Sequence, residues 1–215
     1  MNMRKGQFQI NDRFADRLGA FRHLAYSEWG EAENPRVAVC VHGMTRNGRD
    51  VDFLAEALGE SHRVFCLDLP GRGESDWLRE AGGYMPATYV SDIRGLLASL
   101  DIDEVDWIGT SLGGSLGMLI AGDEDAVARG LVRRLVLNDI GPFLPASGME
   151  PIAERVGRAP DFDDLEVAEG YQKQVCAEWG ELSDEIWMHL TLHSLRPRDG
   201  GGFAYHHDPA IVHQP

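Results

Sequence analysis

The stretch Val105-Asp106-Trp107-Ile108-Gly109-Thr110-Ser111-Leu112-Gly113-Gly114-Ser115-Leu116-Gly117-Met118-Leu119-Ile120-Ala121 decides the fold. Val105 to Ile108, entered from the acidic turn Asp101 to Glu104, is a short run of the kind that forms a buried strand. Leu112 to Ala121 has the length of a helix in spite of Gly113, Gly114 and Gly117. Between them stands a serine with glycines two residues before and two residues after it. Glycine has no Cβ, so this pair lets the chain turn sharply without a clash. The prediction is a strand, a tight turn and a helix, with Ser111 at the apex. That position is also a helix N-terminus, whose free N–H groups favour negative charge. A serine so placed suits nucleophilic attack, with an anion-stabilising amide beside it. A plain turn is the competing reading, and the flanking strand and helix weigh against it.

Working outward, Val37 to Val41 is continuously apolar, as a strand covered on both faces should be. Asp50 to Leu58 carries Val51, Leu54 and Leu58 at helical spacing, and His62 to Leu67 reads as the next strand. Residues 87–100 place Val90, Ile93, Leu97 and Leu100 on one helical stripe, and Leu135 to Leu137 makes a fourth buried strand. Phe21 to Trp29 is an earlier strand, with Arg13 to Leu18 its expected hairpin partner. Strands alternating with helices in this way predict an α/β fold, a mostly parallel sheet with helices on both faces. The rhythm changes after residue 141, where Gly141-Pro142 and Pro145 punctuate the chain. Leu165 to Leu195 is then largely helical in pattern, and Phe203 to Tyr205 is a short strand. The expected organisation is a core over 1–141, a helical cap over 142–200, and the start of a return to the core over 201–215.

The chain of 215 residues has 35 acidic and 20 basic side chains, a net charge of −15. About one domain follows from the length, and the acidity argues against a nucleic-acid partner. No run of 18 apolar residues is present, so no membrane span is expected. The N-terminal residues have no apolar signal region, and Cys40, Cys66 and Cys176 form no disulfide framework. A cytoplasmic protein is expected, and its oligomeric state is not set by composition.

Two further motifs follow buried strands. In His42-Gly43-Met44 a backbone N–H can point toward Ser111, so the amides of Met44 and Leu112 form the natural oxyanion pair. His42 is read as shaping this loop rather than as a base. The glycines of Asp68-Leu69-Pro70-Gly71-Arg72-Gly73-Glu74-Ser75 suggest a phosphate loop, yet neither G-x-G-x-x-G nor a Walker lysine is present. This segment is read as a structural turn, and no cofactor is expected.

Together, His42-Gly43, the Asp68 to Ser75 turn, Gly109-Thr110-Ser111-Leu112-Gly113-Gly114 and Leu137-Asn138-Asp139-Ile140-Gly141-Pro142 resemble the α/β-hydrolase superfamily. The likeness is to its esterase and lipase-like branch with a helical cap. It implies Ser111 as nucleophile, Met44 and Leu112 as oxyanion amides, and Asp68 and Arg72 as structural. The substrate would be a small apolar ester or acyl compound, cleaved through an acyl-enzyme. Phe143, Leu144, Trp179, Trp187, Met188 and Leu192 would line its pocket or simply pack the cap. A non-catalytic or truncated hydrolase-fold protein acting in binding is the alternative.

Chain order in this family is serine, acid, histidine. Asp139 follows the fourth strand, where some members carry the acid, although a turn residue is the plainer reading. No base is assigned. His206, His207 and His213 lie downstream without the expected supporting strands, which in the family carry the usual acid and histidine. The resemblance therefore implies a fold incomplete at its C-terminus, and the 215-residue chain alone is expected to aggregate or to lack esterase activity. His189 and His193 share one helix face, but no third ligand is apparent, so no metal site is expected.

Overall fold

The computed structural model describes residues 2–13, 19–143 and 160–213. Its main sheet contains β1 (Arg4–Asn11), β2 (Phe21–Trp29), β3 (Val37–Val41), β4 (Arg63–Leu67), β5 (Val105–Thr110) and β6 (Val132–Asn138), in the order β1-β2-β4-β3-β5-β6. The four strands β4, β3, β5 and β6 run parallel, while β1 and β2 add an antiparallel edge. All five residues of β3 are buried, which explains its unbroken apolar run. Its side chains feed two cores. Val37, Val39 and Val41 join Phe65, Trp107, Leu116 and Ile120 on one face, while Ala38 and Cys40 join Trp29, Ala55 and Cys66 on the other.

One expected pairing is corrected. The partner of β2 is β1, in register from Arg4 opposite Glu28 to Asn11 opposite Phe21. Arg13 lies in the turn that follows, and residues 14–18 are outside the described part. β1 pairs along its whole length because Phe8 and Ile10 pack on the main core and Gly6 accommodates the Tyr26 ring.

The helices are α1 (Asp52–Leu58), α2 (Pro86–Ser99), α3 (Leu112–Ala121), α4 (Glu124–Arg129), α5 (Leu165–Val175) and α6 (Asp184–Ser194). Buried residues of α2 and α3 join the first core and Ala55 of α1 joins the second, so helices cover both faces. The helical pattern across residues 165–195 resolves into two helices. Gly180, at φ 89°, breaks the chain, and Ser183 caps the new start by accepting the Ile186 N–H. A hairpin of β7 (Leu195–Pro197) and β8 (Phe203–Tyr205) follows, and Ile211 returns to the first core, fully buried. Leu144 and most of the adjoining segment fall outside the described residues. No helix among the described residues is long and apolar enough to cross a membrane.

Candidate active site

Ser111 sits between β5 and α3 with φ 50° and ψ −113°. Positive φ is sterically costly for a residue with a Cβ and persists only when the surroundings impose it. Here they do. The Ser111 N–H donates to the Asn138 carbonyl of β6 at 2.9 Å, and its own carbonyl accepts the Ser115 N–H at 3.0 Å. The glycines around it answer to separate contacts. A Cβ on Gly109 would stand 2.3 Å from the Gly113 carbonyl oxygen, and one on Gly113 would stand 2.1 Å from that of Val41. A Cβ on Gly117 would meet the Trp107 indole at 2.4 Å, so α3 lies directly on β5. Leu112 opens α3, so its N–H has no acceptor within the helix.

The loop after β3 approaches the same point. A Cβ on Gly43 would be 3.7 Å from Ser111 Cβ, and the Gly113 N–H donates to the His42 carbonyl at 3.2 Å. The His42 ring is committed on both sides. Nδ1–H donates to the Gly43 carbonyl at 2.6 Å, and Nε2 accepts the Leu69 N–H at 3.0 Å. Burial, with Arg72 and Arg46 adding like charge, depresses its pKa to about 3. His42 is thus a neutral brace between two loops, with no nitrogen left for a base.

The Asp68 to Ser75 turn supplies the second brace. Asp68 accepts the N–H groups of Gly48 at 2.7 Å and Glu74 at 2.9 Å, and burial raises its pKa to about 6. Fully buried Arg72 donates to the Met44 carbonyl at 2.7 Å, the Pro70 carbonyl at 2.8 Å and the Tyr89 hydroxyl at 2.8 Å. The sequence placed Arg72 in the turn. Its hold on Met44 is visible only in three dimensions. On its other side this loop meets α6, where Asn47 donates to the His193 carbonyl at 2.7 Å. The guanidinium of Arg46 lies 5.4 Å above the Trp179 ring, which stacks on buried Trp187.

The structure therefore brings Ser111, Leu112 and the Met44 loop together. Asp139 follows β6 at φ 53°, exposed, with no hydrogen bond to another described residue. Ser111 Oγ has no hydrogen bond to any described histidine. His206 and His207 are drawn below their ordinary pKa by burial, His207 to about 4. The side chain of His213 is outside the described part. Phe143 is 79% exposed, and Met188 and Leu192 are partly so.

Sequence reasoning missed one cluster. Asp52 of α1 lies beside His189 and His193 of α6 and supplies the third metal-type donor that the sequence did not reveal. Only docking of α6 on the start of α1 joins them, so no local spacing signals it. His189 and His193 pack ring against ring with centroids 4.5 Å apart.

Known proteins resemble this chain in sequence and in fold. A 3-hydroxybutyrate-oligomer hydrolase of Cupriavidus necator is 43% identical over 192 residues, covering 88% of this chain and 64% of the relative. An esterase of Mycobacterium tuberculosis is 35% identical over 192 residues, covering 84% and 58% respectively. The chain thus spans less than two thirds of either relative. The crystal structure of an alpha/beta hydrolase from Novosphingobium aromaticivorans superposes with a TM-score of 0.83 at 29% identity, covering 97% of this chain and 70% of that one. A family profile described as the alpha/beta hydrolase fold matches residues 37–199. With the parallel sheet and the turn at Ser111 already in place, the chain belongs to the α/β-hydrolase fold family.

Proposed function

We propose that this chain carries the nucleophile and the oxyanion-binding amides of a serine hydrolase that cleaves carboxylic esters. The observation that carries this reading is Ser111 held at φ 50° at the start of α3, between glycines where a Cβ would press into backbone carbonyl oxygens. Ser111 Oγ would attack the ester carbonyl, and the N–H groups of Met44 and Leu112 would receive the developing oxyanion. The alcohol leaves, and water then releases the acyl group from the serine. Arg72 and His42 would act as positioning residues by fixing the loop that presents the Met44 amide. Asp139, next to the Asn138 carbonyl that anchors Ser111, is the carboxylate this reading offers to orient the base. No described histidine is assigned as that base.

The Cupriavidus relative suggests the substrate class, short oligomers of 3-hydroxy acids joined by ester bonds. Kinetics of the native protein on the 3-hydroxybutyrate dimer and on a p-nitrophenyl ester test both parts. Activity on both substrates, lost in Ser111→Ala, supports the reading and overturns the expectation that the chain alone is inactive. Activity on the p-nitrophenyl ester alone removes the oligomer substrate, and activity that survives Ser111→Ala removes the nucleophile. Asp139→Asn should lower kcat by about 10⁴-fold if Asp139 orients the base, and leave it nearly unchanged if it only shapes the turn.

A further inference from the structure

The proposed ester cleavage gives the cluster Asp52, His189 and His193 no role. One donor atom from each residue lies within 4.8 Å of the others, and His189 Nε2 stands 3.3 Å from Asp52 Oδ2. Asp52 is only 4% exposed, yet its Oδ1 has no hydrogen-bond partner, while Oδ2 is taken by Arg49. A buried carboxylate oxygen left without a donor is costly and calls for a ligand. His193 makes no side-chain hydrogen bond among the described residues. It lines a cavity of about 670 Å³ that also touches Asn47, Arg49 and Leu192, which gives a small ion a route in.

We propose that Asp52, His189 and His193 bind a divalent transition-metal cation of the zinc type, which staples α6 to α1. Two imidazoles and a carboxylate are a donor set zinc favours, with a fourth position left to water. Donors around one zinc ion sit roughly 3.3 Å apart, given bonds of about 2.0–2.2 Å. The Asp52 Oδ2–His189 Nε2 pair already has that spacing, and a His193 donor lies within 4.8 Å of donors on the other two residues. Two features oppose binding and are overcome by it. His189 Nε2–H donates to the Arg49 carbonyl at 2.9 Å, so the proton must move to Nδ1 or leave before Nε2 ligates. The Arg49 guanidinium repels the cation and holds Oδ2, so it must give up that oxygen when the metal binds, while the unpartnered Oδ1 remains a second donor.

Titration of zinc into chelator-treated protein, read by calorimetry and by the visible spectrum of a cobalt substitute, tests the site. One equivalent should bind, with cobalt bands of a low-coordinate nitrogen and oxygen site, and zinc should raise the melting midpoint. His193→Ala and His193→Gln, each checked for folding by circular dichroism, should weaken binding at least about tenfold and abolish the rise in midpoint. Cys176→Ser should change neither. Absence of one-equivalent saturable binding, or unchanged affinity in both folded His193 variants, overturns the proposal.

Discussion

The turn at Ser111 and the cluster of Asp52, His189 and His193 each hold polar groups under constraint, but they are built in opposite ways. The turn is made by backbone: glycines pressed against carbonyl oxygens and a serine N–H tied to the neighbouring strand. The cluster is made by docking, with one carboxylate on α1 and two histidines a turn apart on α6. Backbone contacts leave no slack, so the turn is committed before any ligand arrives. A docked cluster depends on how α6 sits against α1 and the segment before it. The first is suited to a fixed nucleophile, the second to an ion that fastens two elements.

The largest expected effect strikes the turn itself. Ser111→Ala should lower kcat/KM for ester hydrolysis by at least about 10³-fold while leaving the melting midpoint nearly unchanged. A stability loss matching the activity loss would mean that the serine is merely part of the scaffold. Arg72→Met removes the hold on Met44 without touching Ser111. It should reduce kcat about 10²-fold with a smaller change in KM, because the amide is displaced rather than the substrate. An Arg72 variant that loses only KM would separate the Met44 loop from the oxyanion role.

Gly113→Ala drives a methyl into the Val41 carbonyl, 2.1 Å away, and should cost about 3 kcal/mol in denaturant unfolding. The same change at Gly82, where a Cβ meets nothing within 4 Å, should be nearly neutral. Equal costs at both positions would break the claim that backbone contact builds the turn. The last effect concerns His42. Its folded pKa of about 3 lies below the unfolded value, so the unfolded chain binds more protons between those limits. Stability should therefore fall as pH drops below about 6.5, by up to about 1.4 kcal/mol per pH unit from this residue. His42→Gln should flatten that slope, measured by urea unfolding from pH 7 down to pH 4.

How much was legible in the sequence follows the same division. β5, Ser111 and α3 could be read because each glycine contacts residues close in the chain or on the adjoining strand. The parallel strands could be read because burial on both faces leaves an unbroken apolar run, as in Val37 to Val41. The partner of β2 was misplaced because β1 offers only Phe8 and Ile10 as a core signal among polar residues. The grip of Arg72 on Met44 and the approach of Asp52 to the histidines depend on elements far apart in sequence. Their residue types hint at a role, and only the packing supplies the partner.

The most direct test of the turn's role is covalent. The native protein is treated with a fluorophosphonate, digested and mapped by mass spectrometry. The expected result is a single adduct on the peptide containing Ser111, absent from Ser111→Ala. An adduct on a different residue, with ester hydrolysis undiminished in Ser111→Ala, would contradict it.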